Sequence, residues 1–176
     1  MGHFAVMAIG ADRPGILAAL AGGLAEAGAN LEDVSSTILR GHFASMLVVD
    51  APDGTDAAGL ERSLAAAVAD MEVAVMVRAV QDEASRGAAP THVLVAYGAD
   101  RPGIVARLAS LLAARGANLT DVTCRVISPE QPVYTLVAEL ELPPDADPDA
   151  LGAEVRDAAE ELGVDVTFRP VDVETL

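Results

Sequence analysis

The chain has 176 residues, of which 27 are acidic and 11 basic, giving a formal charge of −16, and every basic residue is arginine. That balance argues against direct nucleic-acid binding through the protein's own surface, and no apolar run reaches the roughly 18 to 20 residues that span a bilayer. The single cysteine, Cys124, excludes an internal disulfide framework and a cysteine-based zinc site, and with 52% hydrophobic but 3% aromatic residues the cores have to be built from Ala, Val, Leu and Ile.

Met1 is followed at once by the apolar run His3 to Ile9, read as a strand, with no basic or secretory leader, so a cytoplasmic location is expected. Gly10-Ala11-Asp12-Arg13-Pro14-Gly15-Ile16 comes next. It recurs unchanged as Gly98 to Ile104, an offset of 88 residues from Gly10 to Gly98, so the chain is a tandem duplication. Ile16, Leu17, Leu20 and Leu24 recur at helical spacing up to Gly28, whose place after the last apolar position predicts a left-handed helix end. A hairpin is predicted from Val34 to Leu39 and Phe43 to Val49 around Arg40-Gly41-His42, then a helix near Thr55 to Asp70 and a strand over Val73 to Val80.

Residues 81 to 90 are polar and aperiodic and read as a linker between a first domain, 1 to 80, and a second, 91 to 176. The second domain repeats the order: strand Thr91 to Tyr97, helix from Ile104 to Gly116, hairpin strands Val122 to Ile127 and Val133 to Leu142, helix Pro148 to Leu162, strand Val164 to Val171. Its hairpin turn, 128 to 132, is read as two residues longer than the first. The order βαββαβ, twice, predicts an α+β protein of two ferredoxin-like domains, each a four-stranded antiparallel sheet with two helices on one face.

Strand alternation predicts which side chains face away from the helices. In the second domain Thr135, Val137, Glu139, Asp165, Thr167 and Arg169 make a wettable back. In the first, Phe43, Ser45, Leu47 and Val49 with Ala74, Met76 and Arg78 are assigned to the back, which is then unusually apolar and is expected to be covered by another domain or subunit.

A strand, Asp-Arg-Pro-Gly-Ile, a helix and Gly-Ala-Asn-Leu, followed by hairpin, helix and strand, resembles the ACT domain, a small regulatory module that binds amino acids. The likeness covers nearly the whole chain in both copies. It is nearest to stand-alone tandem regulators of the glycine cleavage repressor type, which act through a protein partner. The resemblance implies ligand contact by Asp12, Arg13, Pro14, Gly15, Ile16, Asn30 and Leu31 in the first copy, and by Asp100, Arg101, Pro102, Gly103, Ile104, Asn118 and Leu119 in the second. It further implies a small amino acid as ligand, a regulator or enzyme as protein partner, homo-oligomerisation and no cofactor. A zwitterion needs donors for its carboxylate, which backbone amides at Gly15, Ile16, Gly103 and Ile104 could supply at a positive helix end, and acceptors for its ammonium, for which Asn30 and Asn118 have amide oxygens.

Each of these residues also has a plainer use. Asp12 and Asp100 could satisfy first-turn amides, Pro14 and Pro102 suit a helix start, and Gly15 and Gly103 could relieve a tight corner. Asn30 and Asn118 could bond within their turns, and Arg13 and Arg101 could face solvent or pair with a carboxylate. His3, His42 and His92 occupy non-equivalent positions without a metal-ligand constellation, and Cys124 is read as a small buried group on a strand. No catalytic triad, paired acids or Walker loop is present, so no enzymatic activity is expected. The alternative is an interaction module, without ligand, that docks through the apolar back of its first sheet.

Overall fold

The structure, a computed structural model, describes residues 2–81, 89–127 and 133–171. The chain divides into two compact units, Met1–Ser85 and Arg86–Leu176. The expected linker lies mostly outside the described residues.

In the first unit the elements run β1 (Gly2–Ala11), α1 (Ile16–Glu26), β2 (Asn30–Leu39), β3 (His42–Ala51), α2 (Ala57–Ala67) and β4 (Val73–Val80). The second unit has β5 (His92–Ala99), α3 (Ile104–Ala114), β6 (Asn118–Ile127), β7 (Val133–Glu141), α4 (Pro148–Leu162) and β8 (Val164–Pro170). Both sheets are antiparallel, ordered β2-β3-β1-β4 and β6-β7-β5-β8, which is the predicted ferredoxin-like topology. The second helix of the first unit is shorter than its apolar spacing suggests. It ends at Ala67, and Ala69–Met71 tightens into a 3₁₀ turn that delivers the chain to β4.

Apolar alternation on the strands and 3.6-residue spacing on the helices converge on one core per unit. In the first, Phe4, Val6, Leu47 and Val49 meet Ile16, Leu20, Leu24, Leu60 and Leu64; in the second, Leu94, Leu136 and Leu140 meet Ile104, Leu108, Leu112, Leu151 and Val155. Each fully buried leucine contributes roughly 1.5–3 kcal/mol relative to exposure. Both helices therefore lie on the same face of their sheet.

The helix-free face of the first sheet differs from expectation in its residues. Phe43, Ser45, Leu47 and Val49 point into the core, not away from it, and the outward side chains of β3 are Ala44, Met46 and Val48. The reason is turn length. Leu39 pairs with His42 across two residues, Arg40 and Gly41, both at positive φ (51° and 81°) as a two-residue hairpin requires, whereas Ile127 pairs with Val133 across five. The repeats therefore differ by three residues here, not two. An odd difference exchanges the two faces along β3, and the offset between repeats grows from 88 (Gly10 to Gly98) to 91 (Phe43 to Tyr134). Ala74, Met76 and Arg78 do face outward, as expected.

Candidate functional site

The two copies of the repeated heptapeptide each join a strand to a helix, and their backbones agree closely. Gly15 stands at the N-cap of α1 with φ 97°, and Gly103 at the N-cap of α3 with φ 99°. Only Met71 Cε would come within 4 Å of a Cβ on Gly15, and nothing would on Gly103, so left-handed backbone rather than crowding demands glycine at both. Crowding acts one step earlier: a Cβ on Gly10 would lie 2.6 Å from the Glu72 carbonyl oxygen, and one on Gly98 would lie 2.9 Å from Val164 Cγ1.

The first intrahelical bonds are Ala19 N–H to the Gly15 carbonyl and Arg107 N–H to the Gly103 carbonyl, each 2.9 Å. Amides of Ile16, Leu17 and Ala18, and of Ile104, Val105 and Ala106, precede those bonds and have no intrahelical acceptor. No side chain caps either helix. Asp12 and Asp100 therefore do not cap their first turns. The other two helices are closed: Asp56 Oδ2 accepts from Gly59 N–H at 2.9 Å, and Asp147 Oδ1 accepts from Asp149 and Ala150 N–H at 3.0 and 3.1 Å.

In the first unit the open end of α1 faces a cavity of about 260 Å³ walled by Asp12, Arg13, Gly15 and Leu17 on one side and by Ser36, Thr37, Ile38 and Phe43 on the other. Apart from Phe43 of β3, the far wall comes from the exposed edge strand β2, which the helices leave uncovered along its whole length. Ser36 Oγ lies 2.7 Å from Ser45 Oγ, and Ser45 donates onward to the Ser35 carbonyl at 3.1 Å. In the second unit the register puts Cys124 and Tyr134 where Ser36 and Phe43 stand, and the Tyr134 hydroxyl donates to Cys124 Sγ at 3.1 Å. Burial, then that bond and the nearby charge of Asp100, holds the phenol above its ordinary range. Cys124 is exposed, contrary to the buried place read from its strand position, because edge strand β6 carries it beyond the helices.

Asp12, Arg13, Pro14 and their counterparts Asp100, Arg101, Pro102 are exposed, while Ile16 and Ile104 are buried in the cores and can offer only backbone. Arg13 pairs with Glu72 through Nη2 and Oε2. Asn30 and Leu31, like Asn118 and Leu119, begin the edge strands at the opposite end of the sheet from these loops. Asn30 shares the row of Asp50 and His3, and the loop leaves β1 after Ala11, eight residues or about 26 Å farther on. Within one unit, the two groups do not meet around one small molecule. The wall residues of β2 and the Arg13 partner Glu72 carry no signal in the linear sequence; only the strand register brings them to the loop.

Among the described residues there is no group of three or more His, Cys, Asp or Glu side chains able to hold a metal ion, and no helix is long and apolar enough to cross a membrane.

Two βαββαβ units, each presenting an uncapped helix end beside an edge strand, define a duplicated protein of small α+β domains. The ACT domain profile matches residues 3–78 and 91–169, and the chain belongs to the ACT domain family. A UPF0237 protein of Methanopyrus kandleri is 43% identical over 74 residues, 42% of this chain and 82% of that protein, and one of Corynebacterium diphtheriae is 36% identical over 77 residues, 43% and 86%. Such relatives correspond to one repeat. Over the full length, the chain is similar to a protein of Galdieria sulphuraria (TM-score 0.74, 25% identity, covering 97% of this chain and 98% of that one). A protein assigned as a glycine cleavage system transcriptional repressor shares the fold (TM-score 0.74, 16% identity, 97% of each chain).

Proposed function

We propose that this protein is a non-catalytic cytoplasmic amino-acid sensor, whose β1–α1 and β5–α3 loops take the ligand's carboxylate. The uncapped N-termini of α1 and α3 carry the reading. In a chain that closes its other two helices with aspartates, two open helix ends built on the same seven residues are positions kept for an anion from outside. In the first unit the hydroxyl of Ser36 stands across the cavity, and carbonyls of the loop can accept from an ammonium. Asp12, Pro14 and Gly15, with Asp100, Arg101, Pro102 and Gly103, form the rims, while Arg13 is engaged by Glu72. Asn30 and Asn118, at the far end of their own sheets, contribute to no such site within one unit. Occupancy regulates a protein partner only as far as the ligand-bound and ligand-free forms differ in affinity for it.

The test is a thermal-shift titration with the twenty proteinogenic amino acids. A stabilisation that grows with ligand concentration is expected from at least one, lost when Gly15 and Gly103 are both changed to bulky, strained Val. No response to any of the twenty would overturn the sensor.

A second reading, an interaction module without ligand, is favoured by one surface. Met46, Met7 and Met76 lie in register across the back of the first sheet, beside Ala44, Ile9 and Ala74, lining a shallow groove of about 600 Å³. Isolated apolar residues are ordinary on a surface; a contiguous band across three strands is not. On this reading a second copy covers the band. Met46→Glu then reduces the mass measured by light scattering to that of one chain, and an unchanged mass counts against it.

A further inference from the structure

The two loops have the same sequence but different surroundings, and the difference falls on their arginines. In the first repeat the residue before β4 is Glu72, held at φ 56°, and its carboxylate binds the Arg13 guanidinium; Arg13 Nη1 also reaches the Asp70 carbonyl at 3.5 Å. In the second repeat the register puts Gly163, φ 68°, before β8 at the same place. The Arg101 guanidinium lies over that glycine: a Cβ built there would meet Nη1 at 3.1 Å and Cζ at 3.5 Å. Among the described residues Arg101 has no ion pair or hydrogen bond. Each arginine thus folds back onto the same corner of its own unit. One finds a carboxylate waiting, the other a residue with no side chain.

Resting on the sensor reading, we infer that the second repeat is the one that takes the ligand, with Arg101 as the group that recognises its carboxylate, while Glu72 occupies the corresponding guanidinium in the first repeat. An incoming carboxylate at the first loop has to compete with an internal one, tethered at high effective concentration; at the second loop it completes an ion pair that the fold leaves open. The ligand class follows: a free α-carboxylate is required, so amino acids bind and their amides do not. One ligand binds per chain.

Calorimetry with the twenty amino acids, and with the amide of whichever binds, reads this directly. Expected are one site per chain, no binding of the amide, and a loss of about ten- to a hundredfold in affinity for Arg101→Gln, with Arg13→Gln unchanged. Gly163→Glu should weaken binding in the same direction, by a few-fold, by installing the first repeat's exposed carboxylate. Gly163→Asn tolerates the left-handed backbone without the charge and should retain binding, which separates charge from strain. Glu72→Gln should raise the count toward two sites. Binding that survives Arg101→Gln but fails in Arg13→Gln, or two equal sites in the unaltered protein, would overturn the assignment while leaving the sensor intact; equal binding of the amide would overturn carboxylate recognition in both. Absence of binding by every amino acid overturns both.

Discussion

Four α-helices begin among the described residues, and they begin in two ways. α2 and α4 start behind Asp56 and Asp147, whose carboxylates close the first turn, and α4 adds proline at its first position. α1 and α3 start behind left-handed glycines, with nothing closing the turn. Closed starts follow the usual preference of helix ends for a side-chain acceptor, and open ones, with glycine at the N-cap, forgo only a few tenths of a kcal/mol each. Where one fold uses both solutions, and the open one twice on an identical heptapeptide, local stability is not what the open ends serve.

Breaking the corner that holds the open ends should have the largest effect. Gly10→Ala forces a methyl against the Glu72 carbonyl and Gly98→Ala one against Val164, so each is expected to cost about 1–3 kcal/mol in urea denaturation, Gly10→Ala the more because backbone yields less than a side chain. Next comes the comparison itself. Asp56→Ala and Asp147→Ala should each cost about 1 kcal/mol, whereas Asp12→Ala and Asp100→Ala, which remove no capping bond, should stay within about 0.5 kcal/mol. Equal losses at all four would mean that the heptapeptide aspartates do structural work not visible in the hydrogen bonds.

The smallest effect sharpens the comparison between repeats. His92 stands where the first repeat has Phe4, stacked on Phe168 with ring centroids 5.1 Å apart. Burial lowers its pKa from the ordinary 6.5, so the unfolded chain takes up the proton first. Stability from this group is complete above about pH 6.5 and is lost as pH falls toward the folded value. His92→Phe should remove that part of the acid-side loss in a pH series of melting temperatures.

Much of this was legible in the linear sequence, because duplication and periodicity are local signals: the eight strands, the four helices and the topology follow from apolar spacing and turn residues. The outward face of β3 was not. It depended on whether the turn after Leu39 held two residues or three, and His42 belongs to the strand, so one residue's assignment exchanged Phe43 and Leu47 for Met46 and Val48. The apolar character of that back survived the exchange, since Met7, Ile9 and Met76 carry it as well. At the loops, the heptapeptide marked the place, but its meaning lay in what was missing: a caps residue can be read from a sequence, whereas an aspartate that is present and does not cap cannot. Glu72 and Gly163 were equally hidden, being ordinary turn residues until the sheet carries them beneath Arg13 and Arg101.

The central claim is that open helix amides receive a ligand carboxylate. Backbone amide resonances followed by NMR during titration with an amino acid found to stabilise the protein test it most directly. Ile104, Val105 and Ala106 are expected to shift ahead of the remaining amides and to saturate together. Saturable shifts elsewhere, with these three unmoved, would contradict it.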